Sequence, residues 1–337
     1  MIISHKSHIV KMELSFIIPV YNVGALLDKC LYSLYNNGLA DDDFEAIVID
    51  DASPSYDVES IIANKYAQIH KNLVFLRHDK NKGLSASRNT GLQCAGGKYV
   101  WFVDSDDAIN AEYVYELLKK AISSSLDVLC FGFRMIEEDT GKCTDCVLEG
   151  YPDKEWTGQE FLINVPIHVM AWSALYRRQF LLDNNLCFLD GVLHEDQEFT
   201  PRVYCMAGHI SYVPVPGYNY LQRHGSIMKS VNPKKIRDLI TICNRLWNFA
   251  IKNTEDNSDI RYFFINRISF LYAQCLRNMA ICGYENYPNL PFYPLSINSF
   301  LNNREKLQYS LININVRFYV FIKSMMFKLR ISNRTSH

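Results

Sequence analysis

The 337-residue chain is 48% hydrophobic and 21% charged with a net charge of −1, a composition that suits a folded protein and excludes a general nucleic-acid footprint. Its length accommodates one large domain, or one domain with an appendage. From Arg304 onward seven Lys and Arg stand against Glu305 alone, so the tail carries +6 and residues 1–303 carry −7; a basic tail on an acidic body suits an anionic surface such as a membrane.

Residues 1–11 are polar and patternless, read as no secretory signal, and Met12 is a candidate start. No run is long and apolar enough to span a bilayer. The ten scattered cysteines read as reduced thiols. Cys143 and Cys146 form a lone CxxC in a polar loop, without the second ligand pair that zinc requires.

In chain order, the β-branched run Leu14 to Val20 predicts a strand, followed by an amphipathic helix stopped at Gly38. Strand 45–50, helix 57–69 capped by Ser55 or Asp57, and strand 73–77 come next. Helix 84–95 ends at Gly96-Gly97; strand 98–103, helix 111–124 capped by Asn110 and strand 127–133 follow. Strands alternating with helices at this spacing predict an α/β fold with a parallel, doubly wound sheet. A mixed region spans 134–230, a helical one runs from Asn232 to Cys282, and a Tyr/Pro/Asn-rich joint, Tyr284 to Pro294, precedes the basic tail.

Two acidic clusters end apolar runs: IVIDDASP (Ile47 to Pro54) and YVWFVDSDD (Tyr99 to Asp107). In a parallel sheet both fall at carboxyl ends of strands, where ligands bind. Crowded carboxylates repel, and a shared cation relieves the repulsion. If the second cluster continues the strand, Asp104 and Asp106 share a face and offer hard oxygens to Mg²⁺ or Mn²⁺; the plainer alternative is helix capping with the other acids solvated. Asp50 and Asp51 present a carboxylate to the imide N–H of a uracil-type base, or else build an Asx-turn from Asp51 to Pro54. Tyr21 is placed to stack on that base, or is an ordinary half-buried tyrosine. GLSASRNTGL (Gly83 to Leu92) opens a helix with small residues whose free amides favour anions, with Arg88 one turn in; its alternative is a pairing with a surface acid.

SFIIPVYN, IVIDDASP, GLSASRNTGL and VWFVDSDD, in this order and spacing, resemble the nucleotide-sugar-binding half of family 2 glycosyltransferases over roughly residues 13–230. The resemblance implies a GT-A, Rossmann-like fold with a mostly parallel sheet flanked by helices and a C-terminal helical extension. It implies a tail at 1–12, a nucleotide-sugar half at 13–108, an acceptor half at 109–230 and a helical region at 231–337. It assigns Asp51, Arg88, Asp104 and Asp106 to the donor, and Asp106 and Asp107 to a divalent metal, Mn²⁺ or Mg²⁺; Pro19, Tyr21, Asp50 and Ser105 are further candidate donor residues in the same motifs. In LHEDQEF it makes Asp196, beside Glu195, the base that deprotonates the acceptor hydroxyl; read alone, these are first-turn helix acids, and Pro201 predicts a kinked or short helix. Trp172 would wall the acceptor sugar, or else pack in the core. Arg223, His224 and Ser226 would lie on a loop over the diphosphate.

The implied reaction is inverting transfer of one sugar, a UDP-hexose or UDP-N-acetylhexosamine being the expected donor, to a saccharide or lipid-linked acceptor of polysaccharide assembly in the cytoplasm, peripheral to the membrane. Gln274 to Asn278 lacks the Trp of the processive synthases' Gln-x-x-Arg-Trp motif, which favours single addition. A sugar nucleotidyltransferase would want a Gly-rich basic loop after the first strand, which Val20 to Gly24 does not supply, and a dehydrogenase a GxGxxG. A non-catalytic binding protein of the same fold stays open. In the tail, Val316 to Ile331 sets Arg317 beside Lys328 and Lys323 beside Arg330 on a helical wheel, with Val320, Phe327 and Ile331 between; an anionic interface and a helix docked on the body are both consistent with this pattern.

Overall fold

A computed structural model describes residues 12–66, 68–151, 154–223, 232–283, 295 and 303–334. The described residues fall into two compact units, Met1–Gly191 with Phe199–His224, and Val192–Glu198 with Gly225–His337.

The first unit begins with β1 (Leu14–Val20), α1 (Leu26–Tyr35), β2 (Phe44–Asp50), α2 (Val58–Lys65), β3 (Leu73–Arg77), α3 (Leu84–Cys94) and β4 (Tyr99–Phe102). β1 and β2 are almost wholly buried, as uninterrupted apolar runs in a sheet covered on both faces require. The parallel register pairs Leu14 with Phe44 and Val20 with Asp50. Pairing of β1 with β4 ends at Ile17, so Pro19 sits where the missing N–H costs no ladder bond on that side. Asp57 caps α2 by accepting the Ser60 amide. Gly91 lets α3 lie close on the sheet: a Cβ there would come within 2.3 Å of Ile17 Cγ2.

The chain continues through β5 (Ala108–Ile109), α4 (Ala111–Ser123), β6 (Val128–Glu137), β7 (Cys143–Cys146), α5 (Gly158–Asn164), β8 (Ala174–Arg177), α6 (Arg178–Asp183), α7 (Asp196–Met206) and β9 (Ile210–Gln222). Nine strands among the described residues form one sheet, β3-β2-β1-β4-β8-β6-β9-β5, with β7 beside β6. The expected parallel order holds from β3 to β4. Beyond it, β8 runs antiparallel to both β4 and β6, and β9 returns parallel to β6. Pro214 and Pro216 cannot donate to a ladder, and the β6–β9 register shifts opposite Gly132. Asn110 precedes α4 without a capping bond; its side chain donates instead to the Pro216 carbonyl. The Cys143/Cys146 pair lies on a short edge strand, not in a loop.

The second unit is helical: α8 (Pro233–Asn253), α9 (Asp259–Cys282), α10 (Asn303–Ile314) and α11 (Val316–Arg334). Asn232 caps α8 and Ser258 caps α9, and Gly283 ends α9 in the left-handed conformation at φ +64°. α8 and α11 both pack on α9, so the tail is a docked helix. The joint Tyr284 to Pro294 lies outside the described residues. No helix among the described residues is long and apolar enough to cross a membrane.

Candidate active site

The two acidic loops follow β2 and β4, either side of β1. Asp50 is fully buried: Oδ1 accepts the Ser53 amide at 3.0 Å and Oδ2 accepts an Arg77 guanidinium N–H at 2.6 Å. The turn expected from Asp51 therefore starts one residue earlier. With a protein donor on each oxygen, the Asp50 side chain braces the turn.

Ala52 adopts φ +57°, and Asp51 serves a different loop from its neighbour. Its Oδ1 meets His78 Nδ1 at 2.7 Å and accepts the Lys82 amide at 2.8 Å, while Oδ2 accepts the Gly83 amide at 2.8 Å. His78 Nε2 lies 3.0 Å from Thr90 Oγ1, extending the chain of bonds into α3. A carboxylate offers about four lone-pair directions, so one on Oδ2 is left for a further donor. Asn22 ties the loop after β1 to the one after β2: its amide donates to Ser53 Oγ at 3.1 Å and its Oδ1 accepts the Ser55 amide at 3.1 Å. The neighbouring Tyr21 ring is 47% exposed.

Gly83 opens α3 at φ +91°, a conformation glycine adopts without strain. One turn on, Arg88 is buried. It stacks over Phe188 and donates from Nη2 to Asp104 Oδ1 at 2.7 Å. Its partner is thus a member of the acidic cluster, not a surface acid.

β4 stops at Phe102, so Asp104 to Asp107 form a turn instead of a strand end, closed by the Asp107 amide donating to the Asp104 carbonyl at 3.0 Å. The turn sorts the acids. Asp104 and Asp106 side chains are 26% and 30% exposed, and Asp106 pairs with Arg223. Asp107 is buried, with Oδ2 accepting from the Tyr218 hydroxyl at 3.0 Å and Oδ1 from the Leu221 amide at 2.8 Å. The same Tyr218 oxygen accepts the Asp104 amide at 3.0 Å. Asp107 is therefore tied to β9 through both oxygens, each keeping a further lone-pair direction; Ser105 is buried in the turn. Burial raises the Asp106 carboxyl above its usual range and Asp104 raises it further, partly offset by Arg223. Burial pushes the Asp107 carboxyl well up, with Asp104 and Asp106 adding to the rise.

Trp172 is only 4% exposed and packs in the core. Its ring stacks on Tyr218 with centroids 4.3 Å apart, and its carbonyl accepts the Trp101 indole N–H at 2.8 Å. It backs the phenol that holds the acidic turn. Tyr218, His78, Asn22 and Arg77 escape the sequence reading because each acts on a residue distant in sequence; the bulge-forming VPVPG run before Tyr218 is the one local signal.

In the second unit, residues 192–198 are held by α8 and α9. The Leu193 amide donates to Asp238 at 2.9 Å, Arg245 Nε donates to Glu198 at 2.9 Å, and Arg267 pairs with Gln197. His194 takes φ +64°, Glu195 is buried, and Asp196 opens α7, which continues through Pro201 to Met206. His224 and Ser226 lie outside the described residues.

No group of three or more His, Cys, Asp or Glu side chains forms a self-sufficient metal cage among the described residues. The donor set of Asp104 and Asp106 fits a cation completed by a ligand's phosphates: two hard carboxylates with exposed edges, next to Arg88 and Arg223.

Known proteins share this architecture. Structures of Staphylococcus aureus TarS 1–349 with UDP-GlcNAc and with UDP superpose with TM-scores of 0.62 and 0.66, at 24% and 21% identity. They cover 80% and 97% of this chain and 81% and 92% of theirs. The mannosyltransferase PcManGT of Pyrobaculum calidifontis, solved with GDP-Man and Mn²⁺, matches at TM-score 0.51 and 14% identity over 94% of this chain and 87% of its own. In sequence, the putative glycosyltransferase EpsH of Bacillus subtilis is 33% identical over 65% of this chain, and the cholesterol galactosyltransferase of Borreliella burgdorferi 31% over 66%. The chain spans 64% and 63% of those two relatives' lengths. The profile described as glycosyl transferase family 2 matches residues 15–184, half of the chain, and the chain belongs to that family.

Proposed function

We propose that this enzyme transfers a single sugar, with inversion, from a nucleotide sugar to a saccharide or lipid-linked saccharide acceptor in the assembly of a surface polysaccharide such as a capsule or O-antigen. The observation that carries the reading is the sorted acidic turn: Asp107 is locked to β9 while Asp104 and Asp106 keep exposed oxygens between two arginines. The expected donor is a UDP-hexose or UDP-N-acetylhexosamine, since the TarS structure holds UDP-GlcNAc. On this reading Tyr21 stacks on the base, the remaining lone pair of Asp51 accepts its imide N–H, and Pro19 and Ser105 shape the backbone of the pocket. The enzyme is cytoplasmic and meets its acceptor at the inner face of the membrane.

Asp104 and Asp106 would hold a Mn²⁺ or Mg²⁺ ion, which would supply charge neutralisation for the departing diphosphate. Arg88 holds Asp104 in place, and Arg223 adds a second positive group on the diphosphate side. Asp196 takes the proton from the acceptor hydroxyl as its oxygen bonds to the anomeric carbon, opposite the breaking bond to the diphosphate. Glu195 and the clamps on residues 192–198 aim that base. The test is turnover of UDP-, GDP- and dTDP-sugars by the wild type and Asp106→Ala, with EDTA as a further arm. Release of UDP that depends on Asp106 and on metal is expected; equal turnover in the two proteins would end the reading.

A further inference from the structure

α11 carries two apolar faces. Tyr319 and Val320 are buried where the helix docks in its own unit. At about 100° per residue, Phe318, Phe321, Ile322 and Met325 fall on a different arc of the helix. Phe318, Phe321 and Met325 are all about half exposed or more, Phe321 reaching 60%, and Met326 extends the arc at its edge. Leu307 and Ile314, seven residues apart on α10 and therefore on one face, are exposed as well. A row of this size is unusual on a helix that a protein leaves to water.

The charges around it specify what covers it. Arg317 is exposed beside the row on one flank, whereas Lys323 falls by the same 100° step between Tyr319 and Val320, its ammonium over the Tyr319 ring at 5.5 Å. Residues 306–337 contain no Asp or Glu, and the sequence of α11 adds Lys328, Arg330 and Arg334. A protein partner would need a complementary acidic rim around an apolar groove. A second copy of this chain would set these cations against each other. An anionic bilayer satisfies both features at once: acyl chains take Phe and Met, while snorkelling cations reach the headgroups.

The structure assigns this face of α11 to the surface of an anionic phospholipid bilayer, on which the helix lies in plane. This deepens the peripheral location proposed above, yet depends on no residue of the acidic turn, so the two fail separately. Full-length protein is floated with vesicles of phosphatidylcholine alone and with vesicles containing about one-third phosphatidylglycerol. Binding only to the anionic vesicles, weakened as salt rises from about 0.1 M to about 1 M, is expected. Phe318→Ser with Phe321→Ser lowers partitioning by roughly 30-fold, two half-inserted aromatics' worth. Both side chains are exposed, so melting and UDP binding stay as in the wild type. Phe321→Trp blue-shifts on binding and is quenched by brominated lipid. Failure of the wild type to float with anionic vesicles, equal flotation of the double variant, or sedimentation as a dimer that only the double variant abolishes would each overturn the assignment.

Discussion

The two acidic loops flanking β1 contain adjacent or near-adjacent aspartates, and the fold uses them in opposite ways. After β2, Asp50 and Asp51 gather five protein donors among them, from Ser53, Arg77, His78, Lys82 and Gly83. After β4, only Asp107 is buried and held in that manner, and Asp104 and Asp106 each keep an exposed edge. The first loop is mostly architecture, with one Asp51 lone pair left open; the second holds charge in reserve at a cost. The difference is legible in proton affinity: crowding and burial raise the carboxyls of Asp106 and Asp107. Clustered like charge in a sequence thus serves a ligand only through the lone pairs that partners from elsewhere in the chain leave open.

The largest expected effect breaks the second loop. Asp106→Ala lowers sugar transfer by about a thousandfold, because the charge that neutralises the leaving group loses half its anchor. Its stability should move the other way. A carboxyl raised on folding contributes stability below its unfolded pKa and loses that contribution as pH rises through the folded value. Once that pH is passed without metal, Asp106 adds no such stability, and the variant melts no lower than wild type. A clear fall in melting temperature with transfer intact would move Asp106 into the architectural class.

The first loop breaks in the reverse sense. Asp50→Ala strands the buried Ser53 amide and removes the Arg77 partner, costing about 3 kcal/mol once the partial exposure of Arg77 is allowed for. Chemical denaturation measures this directly. A loss below roughly 1 kcal/mol would show that the turn holds without its acid.

Much of this contrast was hidden from the sequence for a physical reason. Patterns that repeat locally were readable: strand 73–77 matches β3, and the helix from Leu84 stops one residue short of the expected end. The acidic turn was placed at the carboxyl end of a strand, where it lies. Which acid would be used up was not readable, since that depends on Tyr218 and Leu221, more than a hundred residues away across a bulged β6–β9 pairing. The same holds for residues 192–198. Their sequence shows two adjacent acids, but Asp238, Arg245 and Arg267 reach back to them from helices far along the chain. Loops built from neighbouring strands were accessible to periodicity, whereas contacts brought in by returning strands and helices were not.

Tyr218→Phe sharpens the comparison at the point where the two kinds of acid meet. One phenol oxygen donates to Asp107 and accepts the Asp104 amide, so its removal leaves two buried groups short of a partner. A loss of about 1.5 kcal/mol is expected, with the packing of the ring against Trp172 retained. Since the turn then loosens, Mn²⁺ binding followed by calorimetry should weaken in the presence of UDP. Unchanged metal affinity with lowered stability would confine Tyr218 to the architecture.

The smallest effect supplies the baseline for an ion pair remote from either loop. Asp28 on α1 accepts from Lys65 at 2.8 Å and from the Tyr66 hydroxyl at 2.9 Å, and these bonds hold its carboxyl below the usual range. A depressed carboxyl contributes stability above its unfolded pKa and loses it as pH falls through the folded value. Asp28→Asn should therefore cost about 0.5 kcal/mol near neutrality, a figure already discounted for solvent screening of an exposed pair. The difference between variant and wild type should shrink on acidification until the two unfold alike. If the gap instead persists in acid, Asp28 acts through packing against Tyr66, and charge contributes nothing at this helix contact.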